Sequence, residues 1–94
     1  MGTIVEAEKH PDADNLLCFK VDLGEEAPRQ SLSGIAEYFT PDELVGRQVC
    51  VVANLAPRKI RGRISQGMIL TAEHEGGLVL LAPGGQVPGG SRIS

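Results

Sequence analysis

Three aromatic side chains, Phe19, Tyr38 and Phe39, are all that 94 residues contain, and tryptophan is absent. Proteins that hold single-stranded nucleic acid stack its bases on aromatic rings, so this scarcity argues against that mode. Cysteine is scarce too. Cys18 and Cys50 are too few for a disulfide framework, and both sit in apolar stretches that suit reduced, packed thiols. No apolar run approaches the ~18 residues of a membrane span, and Met1 to Lys9 is charged rather than signal-like. These absences set the expectation of a cytoplasmic protein without a membrane partner.

One further absence is local. Between Leu44 and Ala72 there is no acidic residue, yet Arg47, Arg58, Lys59, Arg61 and Arg63 all fall there. The rest of the chain holds four bases against twelve acids, so a net charge of −3 conceals a dipolar molecule. A basic patch bounded by acidic surface is the footprint of a polyanion site. The plainer alternative is a set of cations that merely keeps a strand edge soluble, but ordinary surfaces intersperse both signs. Pro57 and Gly62 interrupt the stretch, so it cannot lie as an amphipathic helix on a membrane.

The chain length suits a single domain over residues 1–94. "TIVEAE" alternates with Val5 and Ala7 on one parity, and "LCFKVDLG" puts Leu17, Phe19, Val21 and Leu23 on one face. "RQSLSGI" reads as a third strand. "TPDEL" opens a short helix, with Thr40 as N-cap, Pro41 at its first position and Glu43 closing a capping box. "RQVCVVANL" reads as a strand buried on both faces, "GMILTAE" and "GLVLLAP" as further strands, and "SRIS" as a last extended piece after a Gly/Pro-rich tail. The pattern predicts an all-β chain with one short helix between strands 3 and 4. That order is the order of the OB-fold, a five-stranded Greek-key barrel that often binds nucleic acid.

The only helix begins with Pro41, Asp42 and Glu43, which repel phosphate, so major-groove reading by a helix is excluded. Recognition of a folded RNA through its backbone remains, a mode that follows shape more than sequence. The stretch "NLAPRKIRGRISQGM" supplies the means. Arg58 and Arg61 offer planar forks, Lys59 a point charge, and Arg63 a further cation. Asn54, Ser65 and Gln66 offer short-range hydrogen bonds, and Gly67 permits close backbone approach. Met68 has two possible roles, a soft contact on a base or ribose and filler for the core, and the second is favoured.

Taken together, "HPDADNL", "SGI", "VVANLAPRKIRGRISQGMIL" and "VPGGSRI" resemble the tRNA-binding domain family over nearly the whole chain. That family includes the C-terminal domain of bacterial methionyl-tRNA synthetases and free-standing tRNA-binding proteins. The resemblance implies an OB-fold module that grips tRNA with little preference for its sequence, as an appendage or helper of a synthetase. It carries Asn54, Arg58, Lys59, Arg61, Ser65 and Met68 over as tRNA contacts, and it implies a homodimer. Family members usually have more chain before the first strand, ending in a "D-I-R-V-G" segment. Met1-Gly2 stand where that segment finishes, which implies an excised domain whose first strand is short at its start.

Catalysis, metal and cofactor binding find no motif. His10, Asp12 and Asp14 alternate in "HPDAD", but a calcium loop begun at Asp12 would meet Leu17 and Leu23 where Gly and Glu belong, so the stretch reads as a turn. Ser65 in "GRISQG" misses the nucleophile-elbow spacing by one residue. The competing non-RNA reading is a protein-assembly domain whose strand edges dimerise and whose basic loop docks an acidic partner.

Overall fold

A computed structural model describes residues 1–94. The chain is mostly β. A four-stranded antiparallel sheet in the order β3-β2-β1-β4 is built from β1 (Gly2–Lys9), β2 (Leu17–Asp22), β3 (Arg29–Ser33) and β4 (Gln48–Val49). The remaining strands pair as β5 (Val51–Val52) with β8 (Met68–Ile69), β6 (Arg58–Ile60) with β7 (Arg63–Ser65), and β9 (Thr71–His74) with β10 (Gly77–Leu80). Helix α1 (Pro41–Leu44) lies between β3 and β4, and the Glu43 carboxylate accepts the Thr40 N–H at 3.2 Å. No helix is long and apolar enough to cross a membrane.

The alternation of β2 places Leu17, Phe19 and Val21 in the core, each 1% exposed. They meet Ile4, Ile35, Leu44, Val49 and Ile69 in one cluster. On β1 the alternation breaks at a bulge between Ile4 and Glu6, where the pairing with β2 shifts. Val5 is therefore 41% exposed, and Ile4 and Ala7 face the core instead of Val5 and Ala7. The stretch "RQVCVVANL" also departs from its pattern. Gln48 and Val49 are buried, but Cys50, Val51 and Val52 are only half-buried, so the strand is covered on both sides at its start alone. Between β4 and β5, Cys50 reaches both ways: its N–H donates to the Leu81 carbonyl and its carbonyl accepts the Leu70 N–H, each at 3.0 Å. Both thiols are free.

The tail adds no strand at "SRIS". It is held by the Gln48 amide, which accepts the Val87 N–H at 2.9 Å and donates to the Val87 carbonyl. It is also held where "PGG" packs backbone to backbone on the β2 turn. A Cβ at Gly90, whose φ is 87°, would collide with the Leu23 carbonyl.

Candidate nucleic-acid interface

The basic stretch folds as the hairpin β6–β7. Cross-strand partners are Arg58 with Ser65, Lys59 with Ile64, and Ile60 with Arg63. Arg61 and Gly62 make the two-residue turn, with φ of 49° and 84°. Positive φ at both central positions is the primed turn whose twist matches its flanking strands. Glycine accepts this conformation freely; an arginine held there costs ~1–2 kcal/mol.

Alternation along the hairpin sorts its side chains. Lys59 and Ile64 share the solvent side, and Ile64 is 52% exposed. Ile60, Arg63 and Ser65 lie on the other side and are half-buried or buried; Arg58, opposite Ser65, shares that side but is exposed. Arg58, Lys59 and Arg61 are exposed, and none is paired with an acid, because the two ion pairs present are Arg29–Glu25 and Arg63–Glu8. These three hairpin cations carry charge that no acid neutralises, although the Arg61 guanidinium also donates to the Asp12 carbonyl at 3.2 Å.

The other basic residues of the window are engaged elsewhere. Arg63 donates to the Glu8 carboxylate at 2.7 Å; that hydrogen bond, with Cys18 the next contributor, holds its guanidinium above the ordinary value. Arg47 lies outside the hairpin, in the turn between α1 and β4, with its guanidinium 6.0 Å from the Phe39 ring centre. The five cations thus do not form one patch.

Ser65 and Gln66 close the molecule. Ser65 is 7% exposed; its hydroxyl donates to the Gly67 carbonyl at 3.0 Å and accepts the Leu32 N–H at 3.3 Å. Gln66 pairs with Gln30 twice, its N–H donating to the Gln30 carbonyl at 2.7 Å and its side-chain carbonyl accepting the Gln30 N–H at 3.0 Å. Together these bonds join the hairpin to β3. Gly67 does permit close approach, but to the chain itself: a Cβ there would stand 3.2 Å from the Val52 carbonyl. Asn54 is exposed in the turn that precedes the hairpin. Met68, favoured as core filler, is instead 52% exposed on β8, because the neighbouring Ile69 takes the inward position.

Two residues that sequence reasoning left aside hold the basic segment in place. Arg29 is bidentate to Glu25 at 2.7 and 2.8 Å, and its Nη1 also donates to the carbonyls of Ala53 at 2.6 Å and Gln66 at 3.1 Å. Those carbonyls flank the whole excursion, so one guanidinium ties its two stems. The mutual hydrogen bond lowers the Glu25 pKa and raises that of Arg29. His10, 3% exposed, reaches the tip, with its Nε2 3.0 Å from the Arg61 carbonyl. Its only signal in the sequence was a place in a turn motif; Arg29 gave none. A groove of about 400 Å³ runs beside the hairpin on the face of the sheet away from the core, lined by Glu6, Glu8, Lys20, Gln30 and Arg63 among others.

Comparisons with known proteins place the chain in a family. Residues 1–92 match the family described as "Putative tRNA binding domain". The methionine–tRNA ligase of Bacteroides fragilis is 52% identical over 94 residues; the match takes in 99% of this chain but 14% of that relative's length. Among solved structures, a MetRS related protein from Pyrococcus horikoshii superposes with a TM-score of 0.89 at 38% identity, covering 99% of this chain and 85% of that one. The chaperone CsaA of Bacillus anthracis gives a TM-score of 0.86 at 32% identity, covering 99% and 86%.

Proposed function

The chain belongs to the tRNA-binding domain family, and on that premise we propose that it grips folded tRNA through the β6–β7 hairpin as a single non-catalytic domain spanning 1–94. The observation that carries this reading is the hairpin's three exposed cations, Arg58, Lys59 and Arg61, standing without acidic partners. Cations on a rigid two-stranded ribbon meet a phosphate backbone at fixed spacing, and a backbone read by spacing is recognised by shape. Asn54 and Met68, both exposed near the hairpin, complete the contact surface with an amide and a thioether. Arg63, Ser65 and Gln66 serve the same surface by orienting it through their bonds to Glu8, Leu32 and Gln30.

In this reading the strands complete an OB barrel. The bonds from Ser65 and Gln66 to β3 close one side, and the β1–β4 pairing closes the other. The chain serves a methionyl-tRNA synthetase in the cytoplasm, as its appendage or as a separate helper, and raises the local concentration of tRNA. It works as a homodimer, in which two hairpins add avidity wherever one tRNA spans both. Sedimentation tests the dimer; a monomer at micromolar concentration overturns it.

Affinity for folded tRNA, heat-unfolded tRNA and single-stranded DNA, measured across a salt series, tests the main reading. Folded tRNA is expected to bind tightest, with a steep log–log salt slope. Equal affinity for all three overturns recognition by shape.

A further inference from the structure

His10 is nearly enclosed, and neither of its ring nitrogens is spare. The Asp12 N–H points at Nδ1 from 3.0 Å. A nitrogen that accepts a hydrogen bond carries no hydrogen of its own in the neutral ring, so Nε2 bears the hydrogen and donates it to the Arg61 carbonyl at 3.0 Å. The two bonds run in series. The turn after β1 fixes the tautomer, and the tautomer fixes a bond to the far tip of the basic hairpin, 51 residues away in sequence.

The residue gripped in this way is the one that most needs holding. Arg61 occupies left-handed backbone at φ 49°, a conformation disfavoured for any side chain with a Cβ. Its guanidinium also returns to the same turn, donating to the Asp12 carbonyl at 3.2 Å. Farther down, the hairpin is tied by Arg63 to Glu8 and by Ser65 and Gln66 to β3. Without His10, the strands would stay docked while the tip carrying Arg61 lost its main-chain anchor. A ligand would then have to order that tip on binding, which lowers affinity even though every group that touches the ligand is still present.

We propose that His10 is a positioning residue for tRNA binding: through its Nε2–H bond to the Arg61 carbonyl, it pre-organises the tip of the basic hairpin without touching the RNA. This rests on the reading that the hairpin is the tRNA surface. It assigns a binding role to a buried residue of "HPDAD", which the sequence alone marks as a turn.

Two amide replacements separate the two nitrogens. In His10→Asn the side-chain oxygen still accepts the Asp12 N–H, as in an ordinary Asx turn, but the side chain is too short to reach Arg61. In His10→Gln the terminal amide stands near the place of Nε2 and can donate to the Arg61 carbonyl. Affinity for folded tRNA is measured for both variants and for Lys59→Glu, alongside amide hydrogen exchange at Gly62 and Arg63 in the free proteins. The expected result is a five- to tenfold loss of affinity and faster tip exchange in His10→Asn, with both largely restored in His10→Gln. Unchanged affinity in His10→Asn, while Lys59→Glu binds poorly, overturns the positioning role and leaves the interface standing. Equal loss in both His10 variants, with tip exchange as in the parent, shows a general structural role and also overturns it. Normal tRNA binding by Lys59→Glu removes the interface itself, and with it the role of His10.

Discussion

Ser65 and Lys59 sit six residues apart in one hairpin and do opposite work. Lys59 is exposed without an acidic partner, so its charge is available to a ligand. Ser65 is buried, and its hydroxyl is the partner of the Leu32 N–H. Removing that hydroxyl leaves a buried donor unsatisfied, which costs ~1–3 kcal/mol. Ser65→Ala is therefore expected to lower the urea midpoint, with tRNA affinity preserved wherever the protein remains folded; a midpoint equal to the parent's would contradict the role given to Ser65. Replacing Arg58 and Lys59 with alanine should have the reverse profile. Stability stays nearly constant, while the log–log salt slope of tRNA binding flattens by about two units, one for each phosphate no longer neutralised.

At the scale of elements, the basic excursion is a ribbon clamped at its stems and tip. Arg29 acts at the stems through a fork that reaches the carbonyls of Ala53 and Gln66 while it pairs with Glu25. Arg29→Lys keeps the charge but cannot make that set of bonds, because an ammonium lacks the planar geometry. The expected result is a few-fold weaker tRNA binding with an unchanged salt slope, which separates positioning from electrostatics. The pair also predicts a pH effect. The folded pKa of Glu25 is lowered, so its contribution to stability is complete above the ordinary carboxylate range and is lost as the pH falls through the lowered value. An NMR titration of the Glu25 carboxyl checks this: its midpoint should rise towards the ordinary value in Arg29→Lys. Gly90 belongs to this scale as well. Gly90→Ala forces a Cβ onto the Leu23 carbonyl at a positive φ, and should free the tail from the β2 turn with a loss of ~1–3 kcal/mol on thermal unfolding.

For the molecule as a whole, segregation of charge matters more than its sum. A protein of net charge −3 can bind a polyanion when a few cations stand together without acidic partners, as Arg58, Lys59 and Arg61 do on one hairpin. The acids have a second use. Glu8 and Glu25 neutralise Arg63 and Arg29, the two arginines that serve structure, and leave Arg58, Lys59 and Arg61 uncompensated. Raising the salt concentration should therefore weaken tRNA binding steeply while moving the melting temperature little, since exposed ion pairs contribute little to stability. A fall in melting temperature as steep as the loss of binding would show that the same charges hold the fold.

Sequence by itself determined the β character of the chain, the inward face of β2, the short helix start at Thr40 and the acid-free basic window. Each is written in local periodicity, turn chemistry or charge order, which neighbours a few residues apart decide. It also located the stretch from Asn54 to Met68, because a run of cations without acids needs no fold to be noticed. The sorting of that stretch was decided by tertiary structure alone. Whether Arg63 is free depends on Glu8 across 55 residues, and whether Ser65 is a contact or a clasp depends on the Leu32 N–H. Met68 points outward because Ile69 faces in, a choice of register that an apolar run does not record. The contacts of His10 and Arg29 with the basic stretch were illegible for the same reason: their partners are carbonyls, which every residue carries, and only the folded chain brings particular ones within 3 Å or so of a donor.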